Sequence, residues 1–161
     1  MILYFLRHGD AGAPLPADDD ARELSEHGRA ALRAAAPLWR RLNLRPDVVI
    51  SSPLPRALQT AELLCAAVGG TPTTNDGLRP GASWGQLARA MAAHPDARRV
   101  MFVGHEPDLS TAIVELTGAA SVRMRKGGLA CLEFYGVPEP GGAEIAWLID
   151  PDLYADDDEG A

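Results

Sequence analysis

Leu3-Tyr4-Phe5-Leu6-Arg7-His8-Gly9-Asp10 joins an apolar run of strand length to a cation, an imidazole and a glycine. Leucine and aromatic residues without polar alternation are typical of a strand buried on both faces, as in a parallel sheet. Gly9 permits a sharp turn and a close approach of a ligand to the backbone. Because open α/β sheets bind ligands at the carboxyl ends of their strands, Arg7 and His8 would stand at a binding edge. A strand-end arginine in an ion pair beside a helix-capping histidine fits these residues equally well.

Length and composition limit the class of protein. The chain has 161 residues, of which 47% are hydrophobic, and this suits one domain with a continuous core. No apolar run is long enough to span a bilayer, and the first strand begins too early for a signal peptide. Cys65 and Cys131 lie far apart in apolar segments, which favours buried free thiols over a disulfide or a metal site. We therefore expect a cytoplasmic protein without a membrane partner.

The net charge of −7 is unevenly distributed. Nine of the 22 acidic residues lie in Asp18–Asp20 and in residues 150–161, so the rest of the chain, with its 15 basic residues, is nearly neutral. An anionic ligand is compatible with this balance, whereas nucleic acid, which needs a concentrated basic face, is not an expected partner. The Asp triplet is expected to be solvated in an exposed loop. Residues 155–161 are predicted to be a disordered acidic tail after a domain of residues 1–154.

Two further apolar runs repeat the pattern of the first. Val48–Ile50 leads into Ser51-Ser52-Pro53, and Arg99–Val103 ends in Gly104-His105-Glu106-Pro107. Two final strands, near residues 128–135 and 145–149, should pair antiparallel across a Pro/Gly-rich turn. We predict an α/β fold: a single-domain three-layer α/β/α sandwich with a mostly parallel central sheet and an antiparallel edge from the C-terminal strands.

The helices between these strands carry recognisable start and stop residues. Ser25 is a candidate N-cap for a helix whose apolar positions extend to Leu42. Pro37 should kink this helix because it lacks a backbone donor. Asp108 is expected to cap a helix over Leu109–Leu116.

Reactive side chains follow each of the three buried strands. Arg7-His8 follow the first, Ser51 to Arg56 follow the second, and Gly104-His105 follow the third. Parallel strands with right-handed crossovers bring their carboxyl ends to one edge, so two arginines, two histidines and a helix N-terminus should meet there. A phosphoryl group, with several anionic oxygens, fits such a cluster. The alternative is a purely structural salt-bridge network that uses Asp10, Glu106 and Asp108.

The expected chemistry is a two-step phosphoryl transfer. Neighbouring guanidinium groups disfavour a protonated imidazole, so His8 would stay neutral and could attack phosphorus. A second histidine beside a bound phosphate would be pushed towards its charged form and could donate to a phosphoryl oxygen. The phosphoryl group would pass to His8 and then to water. No P-loop lysine, Walker pattern or Asp-rich magnesium site is present, so neither a metal nor another cofactor is expected.

Four blocks of the sequence resemble the histidine phosphatase superfamily, to which the cofactor-dependent phosphoglycerate mutases belong. They are Leu6-Arg7-His8-Gly9, Leu24-Ser25-Glu26-His27-Gly28, the run from Ser51 to Ala61, and Val103-Gly104-His105-Glu106-Pro107. The resemblance implies that His8 is phosphorylated and that Arg7, Arg56 and His105 cradle the phosphoryl oxygens. Gly9 and Ser52, in the same blocks, complete the candidate phosphate-binding set.

Within the family, the chain resembles the small bacterial phosphohistidine phosphatases. The short chain, the Arg-His-Gly-Asp-Ala start and the Glu-Pro pair after the second histidine carry this resemblance. Many family members have a glutamate general acid in the loop that corresponds to Asp76–Gly85, and here that loop has no glutamate. A sugar alkoxide needs such an acid as it leaves, whereas the imidazole of phosphohistidine needs less help. Asp10, Asp76 and Glu106 are the candidate proton donors that remain.

Three functions are compatible with these residues. The first is a phosphatase acting on a phosphohistidine-bearing protein, and the second is a phosphomonoesterase acting on a small phosphorylated substrate. The third is a phosphate- or phosphoprotein-binding module without turnover, which would not require a nucleophile such as His8.

Overall fold

Six strands form one mixed sheet in the computed structural model, which describes residues 1–154. The strands are β1 (Ile2–Arg7), β2 (Val48–Ser51), β3 (Pro72–Thr74), β4 (Arg99–Gly104), β5 (Leu129–Phe134) and β6 (Ala143–Ile149). They lie in the spatial order β3-β2-β4-β1-β5-β6. Strands β1 to β4 are mutually parallel, and β5 and β6 join the edge antiparallel. The predicted sheet is thereby confirmed.

Helices cover both faces of the sheet because side chains on successive residues of a strand point to opposite faces. The helices are α1 (Glu26–Ala34), α2 (Ala36–Arg41), α3 (Pro55–Val68), α4 (Trp84–Ala92) and α5 (Asp108–Thr117). Leu3 and Phe5 of β1 pack in one core with α4 and α5, while Tyr4 and Leu6 pack in a second core with α1, α2 and α3. The predicted three-layer sandwich is therefore confirmed.

The first predicted helix is divided in two, which corrects the expectation of a single kinked helix. Ser25 caps α1 as predicted, its side chain accepting from the Gly28 N–H at 2.9 Å. The chain then breaks at Ala35, and Pro37 lies in the first turn of α2. A proline costs little there because the first N–H groups of a helix have no partner within the helix.

Asp108 does not cap α5, contrary to the sequence prediction. The helix begins at Asp108 itself, after Pro107. The Asp108 carboxylate instead accepts hydrogen bonds from the backbone N–H groups of Gly81 at 2.8 Å and Ala82 at 3.1 Å. It thereby fastens the loop between β3 and α4 to the start of α5.

Gly28 marks the closest approach of α1 to the segment after β1. A Cβ atom at this position would lie 2.1 Å from the Asp10 backbone oxygen, and a backbone atom cannot rotate away. We expect Gly28→Ala to lower the free energy of unfolding by about 3 kcal/mol, as overpacking does in a rigid site. Urea denaturation at neutral pH measures the change.

The matched control for that substitution is Gly85→Ala in the first turn of α4. The nearest neighbour of an added Cβ there is the Ser83 Oγ at 3.7 Å, which is ordinary contact. Alanine is also the better helix former, so this variant should be as stable as the parent or slightly more so. Equal stability of the two variants would contradict the close packing at Gly28.

Two further predictions from the sequence concern membrane-spanning segments and the C-terminal tail. Within residues 1–154, no helix is long and apolar enough to cross a membrane. The predicted disordered tail, residues 155–161, lies outside the described residues.

Candidate active site

The carboxyl ends of β1, β2 and β4 lie side by side at one edge of the sheet. Hydrogen bonds tie the residues that follow these strands: the His8 N–H donates to the Gly104 oxygen at 3.0 Å, and the Ser52 N–H donates to the Val103 oxygen at 2.9 Å. This backbone framework brings His8 and His105 together, with their ring centroids 5.2 Å apart.

His8 presents one defined ring nitrogen for chemistry. Its Nδ1 lies 2.7 Å from the Gly9 backbone oxygen. A carbonyl oxygen can only accept, so Nδ1 carries the proton and donates it to Gly9. Nε2 is then left with a free lone pair. The turn at Gly9 thereby selects the tautomer in which Nε2 of His8 is the nucleophilic atom.

His105 is held by Ser52. The His105 Nε2 lies 2.8 Å from the Ser52 Oγ, which also accepts from the Leu54 N–H at 3.3 Å. The His105 Nδ1 is buried and has no hydrogen-bond partner among residues 1–154. Ser52, predicted as a phosphate-binding residue, therefore orients His105, and Nδ1 of His105 is the ring atom available to a ligand.

Burial keeps both imidazoles neutral near pH 7. Desolvation lowers the pKa of His8 to about 4, with Arg56 and Arg7 contributing and the Gly9 carbonyl opposing. Desolvation likewise lowers the pKa of His105 to about 3, and two further effects act in the same direction: the repulsion that protonation of both neighbouring imidazoles would cause, and the charge of Arg56. A neutral His8 is the form that can attack phosphorus.

These two pKa values predict that acid weakens the fold. Below about pH 6.5 the unfolded histidines bind protons that the buried ones do not, so stability falls as pH is lowered. At pH 5 the loss is of the order of 2 kcal/mol for each histidine. Urea denaturation at pH 7 and pH 5 measures it.

Histidine variants separate the acid-induced loss of stability due to His8 and His105 from the loss due to other titratable groups. The double variant His8→Asn/His105→Asn should lose less stability between pH 7 and pH 5 than the parent does. His27→Gln, at an exposed position of α1, should keep the parent's dependence. A double variant with an unchanged dependence on pH would show that these two imidazoles are not kept neutral by the fold.

Arg7 and Arg56 each hold one guanidinium nitrogen on a backbone oxygen. Arg7 donates from Nη1 to the Met124 oxygen at 2.9 Å, and Arg56 donates from Nη1 to the Asp19 oxygen at 2.9 Å. The Nε atoms of both arginines are buried without a hydrogen-bond partner in the described part of the chain. Buried donors of this kind are costly unless a ligand satisfies them. Both side chains are thus anchored at one end and have donors left for an anion.

Gly9, a second predicted phosphate contact, already uses both of its backbone groups. Its N–H donates to the Thr60 Oγ1 at 3.1 Å, and its oxygen accepts from His8. Thr60 in turn donates to the Arg56 oxygen at 2.7 Å. Gly9 therefore fixes the His8 ring and links it to the helix that carries Arg56.

The candidate proton donors are engaged elsewhere. Asp10 accepts from Lys126 Nζ at 2.7 Å and from Ser25 Oγ at 2.7 Å, and these hydrogen bonds hold the pKa of its carboxyl well below the usual range. An ionised carboxylate has no proton to give, so the geometry disfavours Asp10 as an acid. Glu106 accepts from the Ser110 N–H at 3.1 Å, and Asp76 pairs with Arg79 at 2.9 Å.

Arg22 is a further positively charged residue that the sequence did not single out. Its Nε lies 2.9 Å from the Asp19 Oδ1, and the Asp19 Oδ2 lies 3.6 Å from Nη2 of Arg56. Its charge also helps to lower the pKa of both His8 and His105, after burial. The Asp triplet is predicted to be solvated, and Asp18 and Asp20 are exposed, but Asp19 contacts two arginines instead. The only sign of this pairing in the sequence is that Arg22 follows Asp19 by three residues.

Across residues 1–154, no group of three or more His, Cys, Asp or Glu side chains is arranged to hold a metal ion.

Comparisons with known proteins identify the family of this chain. Residues 3–127 match the histidine phosphatase superfamily (branch 1). An uncharacterised protein of Picosynechococcus sp. is 43% identical over 115 residues, which cover 68% of each protein. A candidate phosphohistidine phosphatase, SixA from Agrobacterium tumefaciens, superposes with a TM-score of 0.78 at 25% identity, covering 93% of this chain and 97% of that one. The protein histidine phosphatase SixA complexed with tungstate gives 0.82 at 23% identity, with coverage of 95% and 99%.

The family match extends over the whole candidate site. His8, Arg7, Arg56 and His105 all lie within the matched segment, and the sheet brings them to one edge. This chain therefore belongs to the histidine phosphatase superfamily, and its activity is that of a phosphatase on a phosphorylated substrate.

Proposed function

We propose that the protein is a metal-independent phosphatase that hydrolyses phosphohistidine in proteins through a phospho-His8 intermediate. The supporting observation is that each carboxylate near the site already accepts hydrogen bonds. Asp10 is bound by Lys126 and Ser25, Glu106 by Ser110, and Asp108 by the loop at Gly81. An imidazole can leave once its distal nitrogen is protonated, so phosphohistidine is the substrate class least dependent on a carboxylic acid.

In the first step, the lone pair on Nε2 of His8 attacks phosphorus. A new N–P bond forms while the substrate's N–P bond breaks, and the bonding electrons stay with the departing imidazole. The His8 ring becomes cationic, and the Gly9 oxygen stabilises it through the 2.7 Å hydrogen bond from Nδ1. Arg7 and Arg56 neutralise charge on the phosphoryl oxygens, and this stabilisation is stronger in a largely buried site than in bulk water.

In the second step, water attacks phosphorus and the bond to Nε2 breaks. The electron pair returns to His8, and inorganic phosphate is the product. His105 lies beside His8 with a free Nδ1 and is held by Ser52. It supplies a hydrogen bond to the phosphoryl group or to the incoming water.

The small-molecule phosphomonoesterase remains the competing function. An alkoxide leaving group would need a proton from a carboxylic acid, and the loop Asp76–Gly85 contains no glutamate. A binding module without turnover is less well supported, because binding alone does not need a neutral buried imidazole with a free Nε2.

Substrate preference tests the proposed function. We expect kcat/KM for a phosphohistidine peptide to exceed that for sugar phosphates by at least about 100-fold, since the enzyme lacks an assigned acid for the alkoxide. The rate with His8→Ala serves as the blank for spontaneous hydrolysis, and a chelator should leave the rate unchanged. Equal or faster hydrolysis of the sugar phosphates would identify the competing function instead.

A further inference from the structure

Asp19 places a carboxylate between two guanidinium groups of the site. Its Oδ1 lies 2.9 Å from Nε of Arg22, and its Oδ2 lies 3.6 Å from Nη2 of Arg56. Nη2 of Arg22 also donates to Oδ2 at 3.2 Å. One carboxylate therefore engages two arginines, as an anionic ligand would.

The segment that carries Asp19 also covers the site. Asp19–Ala21 forms a single 3₁₀ turn, and its first backbone oxygen accepts from Nη1 of Arg56. Only 6% of His8, 4% of Arg56 and 3% of His105 is exposed. The turn that carries Asp19 therefore lies directly against a largely buried site.

The two contacts of Asp19 with Arg56 differ in what they leave free. The backbone contact holds Nη1 of Arg56, while the side-chain contact occupies Nη2 at the longer distance of 3.6 Å. Nε of Arg56 is buried without a hydrogen-bond partner in the part of the chain that the structure describes. If the carboxylate alone rotates away, Nε and Nη2 together offer a bidentate edge, and Nη1 stays anchored.

A phosphoryl group would compete well with this carboxylate. It brings about two negative charges and three acceptor oxygens, against one charge and two oxygens on Asp19. The Asp19 side chain is 44% exposed, whereas Arg22 and Arg56 are largely buried, so the carboxylate leaves at low cost only when the phosphoryl group takes its place on the two guanidinium groups. The side chain also has solvent to enter when it leaves.

We propose that Asp19 is a resident competitor, which occupies the anion-binding edges of Arg22 and Arg56 and is displaced when the phosphoryl group binds. Arg22 then becomes a third arginine on the phosphoryl group, beside Arg7 and Arg56. The return of the Asp19 carboxylate to the two arginines promotes release of inorganic phosphate. The phosphohistidine substrate rests on the proposed function, whereas the competition itself requires only an anion.

Phosphate affinity tests this competition directly. Titration calorimetry of the full chain with inorganic phosphate should give a Kd about fivefold lower for Asp19→Asn than for the parent, a change of about 1 kcal/mol. Asparagine keeps the size of the side chain but removes the charge. The matched control is Asp20→Asn, the adjacent residue, which loses the same charge from a side chain that is 70% exposed and pairs with Arg79. It should bind phosphate within about twofold of the parent.

Two outcomes would overturn the inference. If Asp19→Asn binds phosphate more weakly than the parent, the carboxylate positions the arginines for the ligand. If its affinity matches that of Asp20→Asn, the side chain does not compete at all. Thermal melting of both variants without phosphate checks that the fold is intact. Tighter phosphate binding in Asp19→Asn together with no hydrolysis of phosphohistidine would leave the inference standing and reject only the proposed function.

Discussion

Replacing His8 with alanine is expected to lower kcat by at least about 10⁴-fold, the scale seen when a covalent nucleophile is removed. The loss follows from the geometry of one atom. The Gly9 oxygen accepts a hydrogen bond from Nδ1–H of His8 at 2.7 Å, which leaves Nε2 as the attacking nitrogen. Alanine provides no nucleophile, and water in its place would lack the fixed position. Steady-state hydrolysis of a phosphohistidine peptide measures the effect.

The same variant should still bind phosphate, because both arginines remain. We expect its Kd for inorganic phosphate to stay within about tenfold of the parent value, since Arg7 and Arg56 supply the charge-assisted hydrogen bonds. His27→Gln, which removes an exposed imidazole on α1, should keep full activity. Turnover by His8→Ala at the parent rate would rule out the covalent mechanism.

Arg56→Lys is expected to reduce kcat/KM by about 10²- to 10³-fold, although it keeps the positive charge. A lysine cannot reproduce the planar fork of a guanidinium, which holds one nitrogen on the Asp19 oxygen while others face an anion. The side chain is only 4% exposed, so water cannot replace the lost donors. Michaelis–Menten analysis with a phosphohistidine peptide measures the change.

Arg33→Lys is the matched control for this substitution, because Arg33 lies at an exposed position near the end of α1. We expect Arg33→Lys to have the same kcat/KM as the parent. A loss of less than about threefold in Arg56→Lys would mean that charge alone is needed at this position, and that bidentate recognition contributes little.

Most of the fold could be predicted because the buried strands are continuous apolar runs that end abruptly. In β1, four core residues are followed at once by Arg7 and His8. In β4, the corresponding break comes at Gly104 and His105. Parallel pairing then places the ends of these apolar runs side by side. The register of β1 with β4 shows this, because Arg7 lies opposite Gly104. The family match confirms the resemblance drawn from the same blocks.

The contacts of the connecting loops could not be predicted in the same way. Asp19 meets Arg56 from 37 residues away, and no local pattern in the Asp triplet distinguishes a solvated side chain from one that pairs across the site. Asp108 likewise has the sequence position of a helix cap, yet its carboxylate binds Gly81 and Ala82. Such partners depend on how loops from different elements meet after the sheet has formed.

The roles of the site residues stay predictions, although the structure narrows some of them. The sequence predicts Ser52 and Gly9 as phosphate ligands because they lie in the matched blocks, but their polar groups hold His105 and His8 respectively. It also offers Asp10 as a proton donor, but hydrogen bonds from Lys126 and Ser25 keep this carboxylate ionised. Sequence position alone cannot distinguish a residue that contacts a ligand from one that orients its neighbour.

The phosphorylated enzyme itself is the most direct test of the central claim. The enzyme would be mixed with a phosphohistidine peptide, quenched in alkali during the first turnover, and digested for mapping of the modified residue by mass spectrometry. We expect one phosphoryl group on each chain, attached to Nε2 of His8. A phosphoryl group on His105 or on a carboxylate would contradict the proposed phospho-His8 intermediate, and so would a first turnover completed with no phosphoryl group on His8.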